Sequence, residues 1–174
     1  MSDSGRIRAV AIGLVSDAGN ILVSETTEPS TGTVFSRPPG GGIEFGESSR
    51  DALDREFQEE LGATITSASL LQVIESRFAF SGQSAHEIVF VYAVEVADLA
   101  ALRVHDRALD AKEGVTLSWR SPHDFDGSSR ILLPAGLRYL HDLDRVGDDS
   151  TSASWTEAAT ATGSVDTVEP KPFR

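Results

Sequence analysis

Residues Pro38–Ala63, PPGGGIEFGESSRDALDREFQEELGA, set three glycines ahead of a segment crowded with carboxylates. Seven Asp or Glu side chains fall between Glu44 and Glu60, against only Arg50 and Arg55. On a helix, Glu56, Glu59 and Glu60 are three and four residues apart and form one cluster, and Leu53, Phe57 and Leu61 form an apolar stripe. Like charges on adjacent turns destabilise a helix, and Arg55 relieves only part of that repulsion. One reading is a solvated acidic face. The chemical reading is a hard cation: Mg²⁺ or Mn²⁺ takes oxygen ligands from a few carboxylates, a backbone carbonyl, water and substrate phosphates. The glycines permit close backbone approach, so helix and loop together suit a metal–pyrophosphate complex.

The elements that must hold this segment can be read around it. Ile7–Val15 and Asn20–Glu25 are strand-like runs separated by the turn signal SDAG, which predicts an opening hairpin. Thr26–Gly42 reads as loop with a short strand at Thr33–Ser36, and the pair Pro38–Pro39 keeps the backbone extended. Ser48–Leu61 is a helix: Ser48 with Asp51 fits a capping box and Gly62 fits the terminating position. Ser69–Phe80, His86–Val96 and Gly114–Ser121 read as strands, with GQSA joining the first two as an antiparallel pair. Pro134–Val146 opens with proline and carries Leu137, Leu140 and Leu143 as a helical stripe. From Gly147 to Arg174 the composition turns to Ser, Thr, Ala and Gly without a period, as a flexible tail outside the fold does. The order predicts an α+β or α/β/α domain over residues 1–146 with a mixed sheet.

Composition narrows the partners. The formal net charge of −12 and a pI near 4.6 disfavour nucleic acid or an anionic membrane. A small phosphorylated substrate stays compatible when a divalent cation stands between the negative partners. There is no cysteine, which excludes disulfides and thiolate metal sites. The N-terminal stretch has no long apolar run of the secretory type, and a cytoplasmic location is expected. Walker-type, G-x-G-x-x-G and G-x-S-x-G motifs are missing, and the four histidines are dispersed.

Gly41–Ala63 resembles the box of the Nudix hydrolases: Gly, five residues, Glu, seven residues, then Arg-Glu-aliphatic-x-Glu-Glu-x-Gly-aliphatic. Gly41, Glu47, Arg55, Glu56, Glu59, Glu60 and Gly62 all stand at the required positions. Phe57 and Ala63 depart mildly from the aliphatic slots, and both remain apolar. The resemblance implies an α/β/α sandwich around a mixed sheet, and Mg²⁺-dependent hydrolysis of a nucleoside diphosphate linked to another moiety, a nucleotide triphosphate or a nucleotide sugar. It implies Glu56, Glu59 and Glu60 as metal ligands, joined by the backbone carbonyl of Gly40 or Gly41. It also implies Arg55 as the arginine that orients a box glutamate and Glu47 as the one bracing loop against helix.

The general base in such proteins often comes from outside the box; Glu113, before the strand bearing Trp119, is preferred here, with Glu87 as competitor and a surface charge as the alternative for each. Arg37, upstream of the glycines, is a phosphate contact or a loop charge. Phe78 and Phe80 are base-stacking candidates or core. Dimers are common among similar proteins, so a homodimer is the assembly this points to. The rival from another class is a non-catalytic Nudix-fold nucleotide-binding or regulatory module, but such modules typically lose metal-ligand glutamates.

Overall fold

The computed structural model describes residues 5–103, 107–110, 115–126 and 129–139, with the backbone alone at 107–110, 138 and 139. In chain order the strands are β1 Ile7–Leu14, β2 Ser16–Asp17, β3 Asn20–Thr27, β4 Val34–Arg37 and β5 Gly40–Gly42. Helix α1, Ser49–Glu56, follows and continues into a π-helical turn, Phe57–Leu61. Then come β6 Ile65–Phe80, β7 Gln83–Val96, β8 Arg107–Asp110, β9 Val115–Arg120 and β10 Arg130–Leu132. Short 3₁₀ turns lie at Ala100–Leu102, Pro122–Phe125 and Ala135–Tyr139.

The strands form two mixed sheets. The first runs β5-β1-β7-β6, with β1 parallel to β7 and antiparallel to β5. The second runs β10-β4-β3-β9-β8, with β2 paired to β3. The mixed-sheet α/β architecture expected from the sequence is therefore present. The opening hairpin is not. Ile7–Leu14 joins the first sheet and Asn20–Thr27 the second, so only Ser16–Asp17 turns back on Asn20–Ile21. The reason is burial: residues 10–14 of β1 and 21–23 of β3 are buried on both faces, so each strand lies inside its own sheet with a neighbour on either side.

Alternation along these strands feeds two cores. Val10 and Ile12 of β1, Ile21 and Val23 of β3, and Val89 and Val91 of β7 share one cluster with Leu132 and Leu137. Ala11, Leu22, Tyr92 and Val94 share the other with Ala52, Leu53, Phe57 and Leu61. The apolar stripe read from the sequence is thus the buried face of the helix, and Phe57 is wholly enclosed. Burial of a side chain of that size contributes about 1.5–3 kcal/mol. Beneath it the backbone of β1 leaves room only for a hydrogen: a Cβ at Gly13 would lie 2.6 Å from Phe57 Cζ and 2.8 Å from Val94 Cγ2.

The β6–β7 pair is antiparallel as expected, but it turns on Ser81–Gly82, both with positive φ, and Gln83 is already in the strand. The expected helix at Pro134 begins as the 3₁₀ turn Ala135–Tyr139, with Leu137 buried. Its continuation through Leu140 and Leu143, and the segment from Gly147, lie outside the described residues.

Candidate active site

Helix α1 is built to start where it does. Ser48 Oγ accepts from the Asp51 amide and Asp51 accepts from the Ser48 amide, a reciprocal capping box. Ser49 Oγ and Tyr92 Oη lie 2.6 Å apart and tie the first turn to β7. At the far end Gly62 takes a left-handed φ of 64° and closes the segment, its N–H reaching Gln58 O and, five residues back, Phe57 O. The sequence periodicity assumed a uniform α-helix. The π turn instead widens the chain over Glu59 and Glu60, a local irregularity frequent at functional sites.

Arg55 is the hub of the acidic segment. Its Nη2 donates to Glu47 Oε1 at 2.8 Å and to the Gly42 carbonyl at 2.9 Å. Its Nη1 donates to Glu56 Oε1 at 2.9 Å and to Glu59 Oε2 at 3.3 Å. Glu47 Oε1 also accepts the Glu44 amide at 2.7 Å, so the glycine loop, Glu47 and the helix are laced through one guanidinium. These bonds raise the Arg55 pKa, led by those from Glu47 and Glu56, and lower that of Glu47.

Glu60 behaves differently. Burial first, and then the charge of Glu56, push its pKa upward, opposed by a hydrogen bond from the Gly40 amide and by the charge of Arg37. Glu56 lies against the glycine strand β5: a Cβ on Gly41 would overlap its carboxylate. Gly40, at φ 132°, has backbone of β1 where a side chain would go. Glu56 and Glu60 therefore stand together against a glycine backbone, with the Arg55 guanidinium fixed beside Glu56.

This donor set fits a hard divalent cation, which would relieve the repulsion between Glu56 and Glu60 that the protein alone leaves standing. The fit is incomplete without substrate. Among the described residues no three acidic or imidazole side chains are gathered closely enough to hold a metal by themselves. Glu59 is 62% exposed and turned toward Arg55. A divalent cation held here would take its remaining ligands from water and phosphate oxygens.

The residues proposed outside the box fare unequally. Glu113 lies outside the described residues. Glu87 is not a surface charge: it is buried on β7, paired with Arg37 Nη2 at 3.3 Å and Arg8 Nη1 at 3.7 Å. His86 meets Glu75 Oε1 at 2.9 Å on the sheet surface. Arg37 is no loop charge either; it ends β4, packs into the structure, and has its pKa lowered by burial against the opposing pull of Glu87. Neither residue carries a periodic signal, because their burial follows from the pairing of separate strands.

The family model of the NUDIX domain matches residues 5–141. The chain belongs to the NUDIX family. It thereby joins a family of hydrolases whose members generally use divalent metals. A NUDIX hydrolase from Nitrosomonas europaea superposes with a TM-score of 0.53 at 19% identity, covering 83% of this chain and 98% of its own, a likeness of fold. The E. coli ORF135 protein is similar at 22% identity over 82% of this chain and 96% of its own, TM-score 0.49. A MutT NUDIX hydrolase from Burkholderia pseudomallei is similar at 23% identity over 71% and 89%, TM-score 0.47. No curated protein matches the chain. The NUDIX match spans the box and both sheets, and no helix among the described residues is long and apolar enough to cross a membrane.

Proposed function

We propose that this NUDIX protein is a Mg²⁺-dependent pyrophosphohydrolase acting on a nucleoside diphosphate linked to another moiety, of the nucleotide triphosphate or nucleotide sugar class. The observation that carries the reading is the pairing of Glu56 and Glu60 against the Gly40–Gly41 backbone, beside an Arg55 already saturated by four acceptors. Glu56, Glu59, Glu60 and the Gly40 carbonyl would hold the cation. When bound, the cation neutralises the pyrophosphate and lowers the pKa of the attacking water.

The chain's own residues do the rest. Arg55 fixes the carboxylate of Glu56 and, through Glu47, ties the glycine loop to the helix, so the phosphates meet preset oxygens rather than mobile ones. Gly40 and Gly41, lacking side chains, let the β1 backbone and the Glu56 carboxylate close onto the glycine strand, which sets that carboxylate beside the Gly40 carbonyl. Arg37 supplies positive charge from the β4 side. Glu113 is the preferred general base; Glu87 is engaged by two arginines and therefore serves better as their counter-charge.

Incubation with Mg²⁺ and a panel of nucleoside diphosphate derivatives should release a nucleoside monophosphate or its counterpart. Activity retained in Glu59→Gln and Glu60→Gln would sink this mechanism, and binding without turnover across the panel would make the protein a nucleotide-binding module.

A further inference from the structure

Strand β6, 16 residues long, ends the first sheet and has one neighbour, β7. Among the described residues nothing pairs with its other edge, whereas the opposite edge of that sheet is the three-residue β5. A long regular edge is a template for another chain, and proteins commonly blunt such edges with bulges, proline or charge. Here the blunting is partial. β6 contains no proline, and its register irregularities lie between Ile65 and Ser67 and between Leu70 and Gln72, so residues 72–80 follow β7 without interruption.

The hairpin decides which groups this edge offers. Ser81 and Gly82 both have positive φ, 50° and 76°, as in a two-residue type I′ turn, which closes on a hydrogen-bonded pair, here Phe80 and Gln83. Hydrogen-bonded and non-hydrogen-bonded pairs alternate along an antiparallel ladder. Phe80, Phe78, Ser76, Ile74 and Gln72 therefore direct their backbone groups to β7. Val73, Glu75, Arg77 and Ala79 aim theirs outward; all four residues are exposed, and none has another backbone partner among the described residues.

A symmetric dimer needs a patch that complements itself about a two-fold axis. Along this edge the outward groups of two antiparallel copies meet only when the axis passes through a residue. An axis at Glu75 or at Arg77 sets that charge against its own copy, which repels. An axis at Ser76 sets Glu75 against the partner's Arg77 and, by symmetry, Arg77 against the partner's Glu75. Both side chains can meet that demand. Arg77 has no ion pair among the described residues, and Glu75 engages His86 through Oε1 alone, leaving Oε2 to a second donor. In the same register Ile74 faces the partner's Phe78, an aromatic–β-branched cross-strand pair. Gln72 Nε2, buried without an acceptor in a single copy, comes opposite the partner's Phe80.

We propose that two copies of this chain form an antiparallel dimer along residues 72–80 of β6, with the two-fold axis at Ser76, so that two four-stranded sheets become one continuous sheet. The outward backbone groups supply the attraction, and the Glu75–Arg77 pairs select the register.

The test is sedimentation velocity on the full chain from about 1 to 300 µM, spanning the micromolar Kd of an interface at the small end of the specific range. Salt of about 0.15 M screens the charge of −12 on each copy beyond about 8 Å. The native chain should dimerise with rising concentration. Glu75→Arg or Arg77→Glu makes both symmetry-related pairs repulsive and should raise Kd by about 100-fold or more. Mixed in equal amounts, the two variants carry complementary edges and should associate as the native copies do. Both exchanges in one chain should restore the homodimer. Hydrogen exchange in the dimer should slow at the amides of Val73, Glu75, Arg77 and Ala79 and leave those of Ile74, Ser76 and Phe78 as in the monomer. Circular dichroism confirms that each variant is folded.

A native chain that stays monomeric throughout overturns the inference, as does a dimer equally strong in both single variants. Dissociated variants that fail to associate when mixed overturn it too, as do outward amides that exchange as fast in the dimer as in the monomer.

Discussion

At the scale of single residues, the acidic helix holds two kinds of carboxylate. Glu47 and Glu56 are satisfied by Arg55, whereas Glu60, exposed at its outer edge, is pressed by the charge of Glu56. Removing the Glu60 charge should stabilise the metal-free protein by about 0.5 kcal/mol after solvent screening, a rise in Tm of roughly 1–2 °C for Glu60→Gln. The same substitution should lower Mg²⁺-dependent turnover by about 10²-fold or more, the cost of deleting one preorganised electrostatic partner. A Glu60→Gln protein that melts below the native one would show that the repulsion is not there. Gly41→Ala tests the loop side: the added methyl meets the Glu56 carboxylate, and the overpacking should cost about 1–3 kcal/mol along with activity, read by melting and turnover together. Most of this was legible in advance, since Gly41, Glu47, Arg55, Glu56, Glu59 and Glu60 stand at fixed spacing along one continuous segment. The roles of Arg37 and Glu87 were not, because two residues 50 positions apart become partners only when β4 and β7 are placed in space.

At the scale of elements, the second sheet depends on one buried charge. Glu25 of β3 accepts from Arg120 of β9 at 3.0 and 2.6 Å, from Arg130 of β10 at 3.2 Å, and from Ser36 of β4 at 3.0 Å. Burial alone would push its pKa up, but the hydrogen bonds of Arg120 and Ser36 and the two arginine charges outweigh that and leave it lowered. A carboxyl with a depressed folded pKa contributes stability above its unfolded value, near 4.3, and loses it as pH falls through the lower folded value. Glu25→Gln should therefore cost about 2–4 kcal/mol at neutral pH and flatten the loss of stability below about pH 4, followed as Tm against pH. An unchanged acid limb would place the acid sensitivity elsewhere. The sequence announced the strands themselves through their apolar runs. It misassigned the partners of the first two, because short turn signals such as SDAG report a reversal of direction, and the buried faces decide which sheet each strand enters. The π turn was illegible for a similar reason: its residues suit an ordinary helix, and the seat of Phe57 on the sheet accompanies a wider winding.

At the scale of the whole molecule, a chain of net charge −12 must meet a substrate of the same sign. Divalent cations resolve this only if they bind the folded state in preference to the unfolded one. Mg²⁺ or Mn²⁺ at about 100 times its Kd should then stabilise the protein by about 2.7 kcal/mol, an effect lost in Glu56→Gln and Glu60→Gln and weakened by added salt. Thermal melts with and without cation measure it, and an equal shift in those variants would mean that the ions act on the overall charge and not at the acidic helix. Registration between layers imposes a further demand. Gly13 carries no functional group and lies under the Phe57 ring. The missing methyl nonetheless sets how deeply the helix seats on β1 and β7, as a shim does in a machine. Exchanging it for alanine would leave every proposed ligand in the sequence intact and lift the whole row of carboxylates away from the glycine strand. Inheritance of the acidic residues is thus not enough to inherit the chemistry; the gap beneath them has to be inherited too.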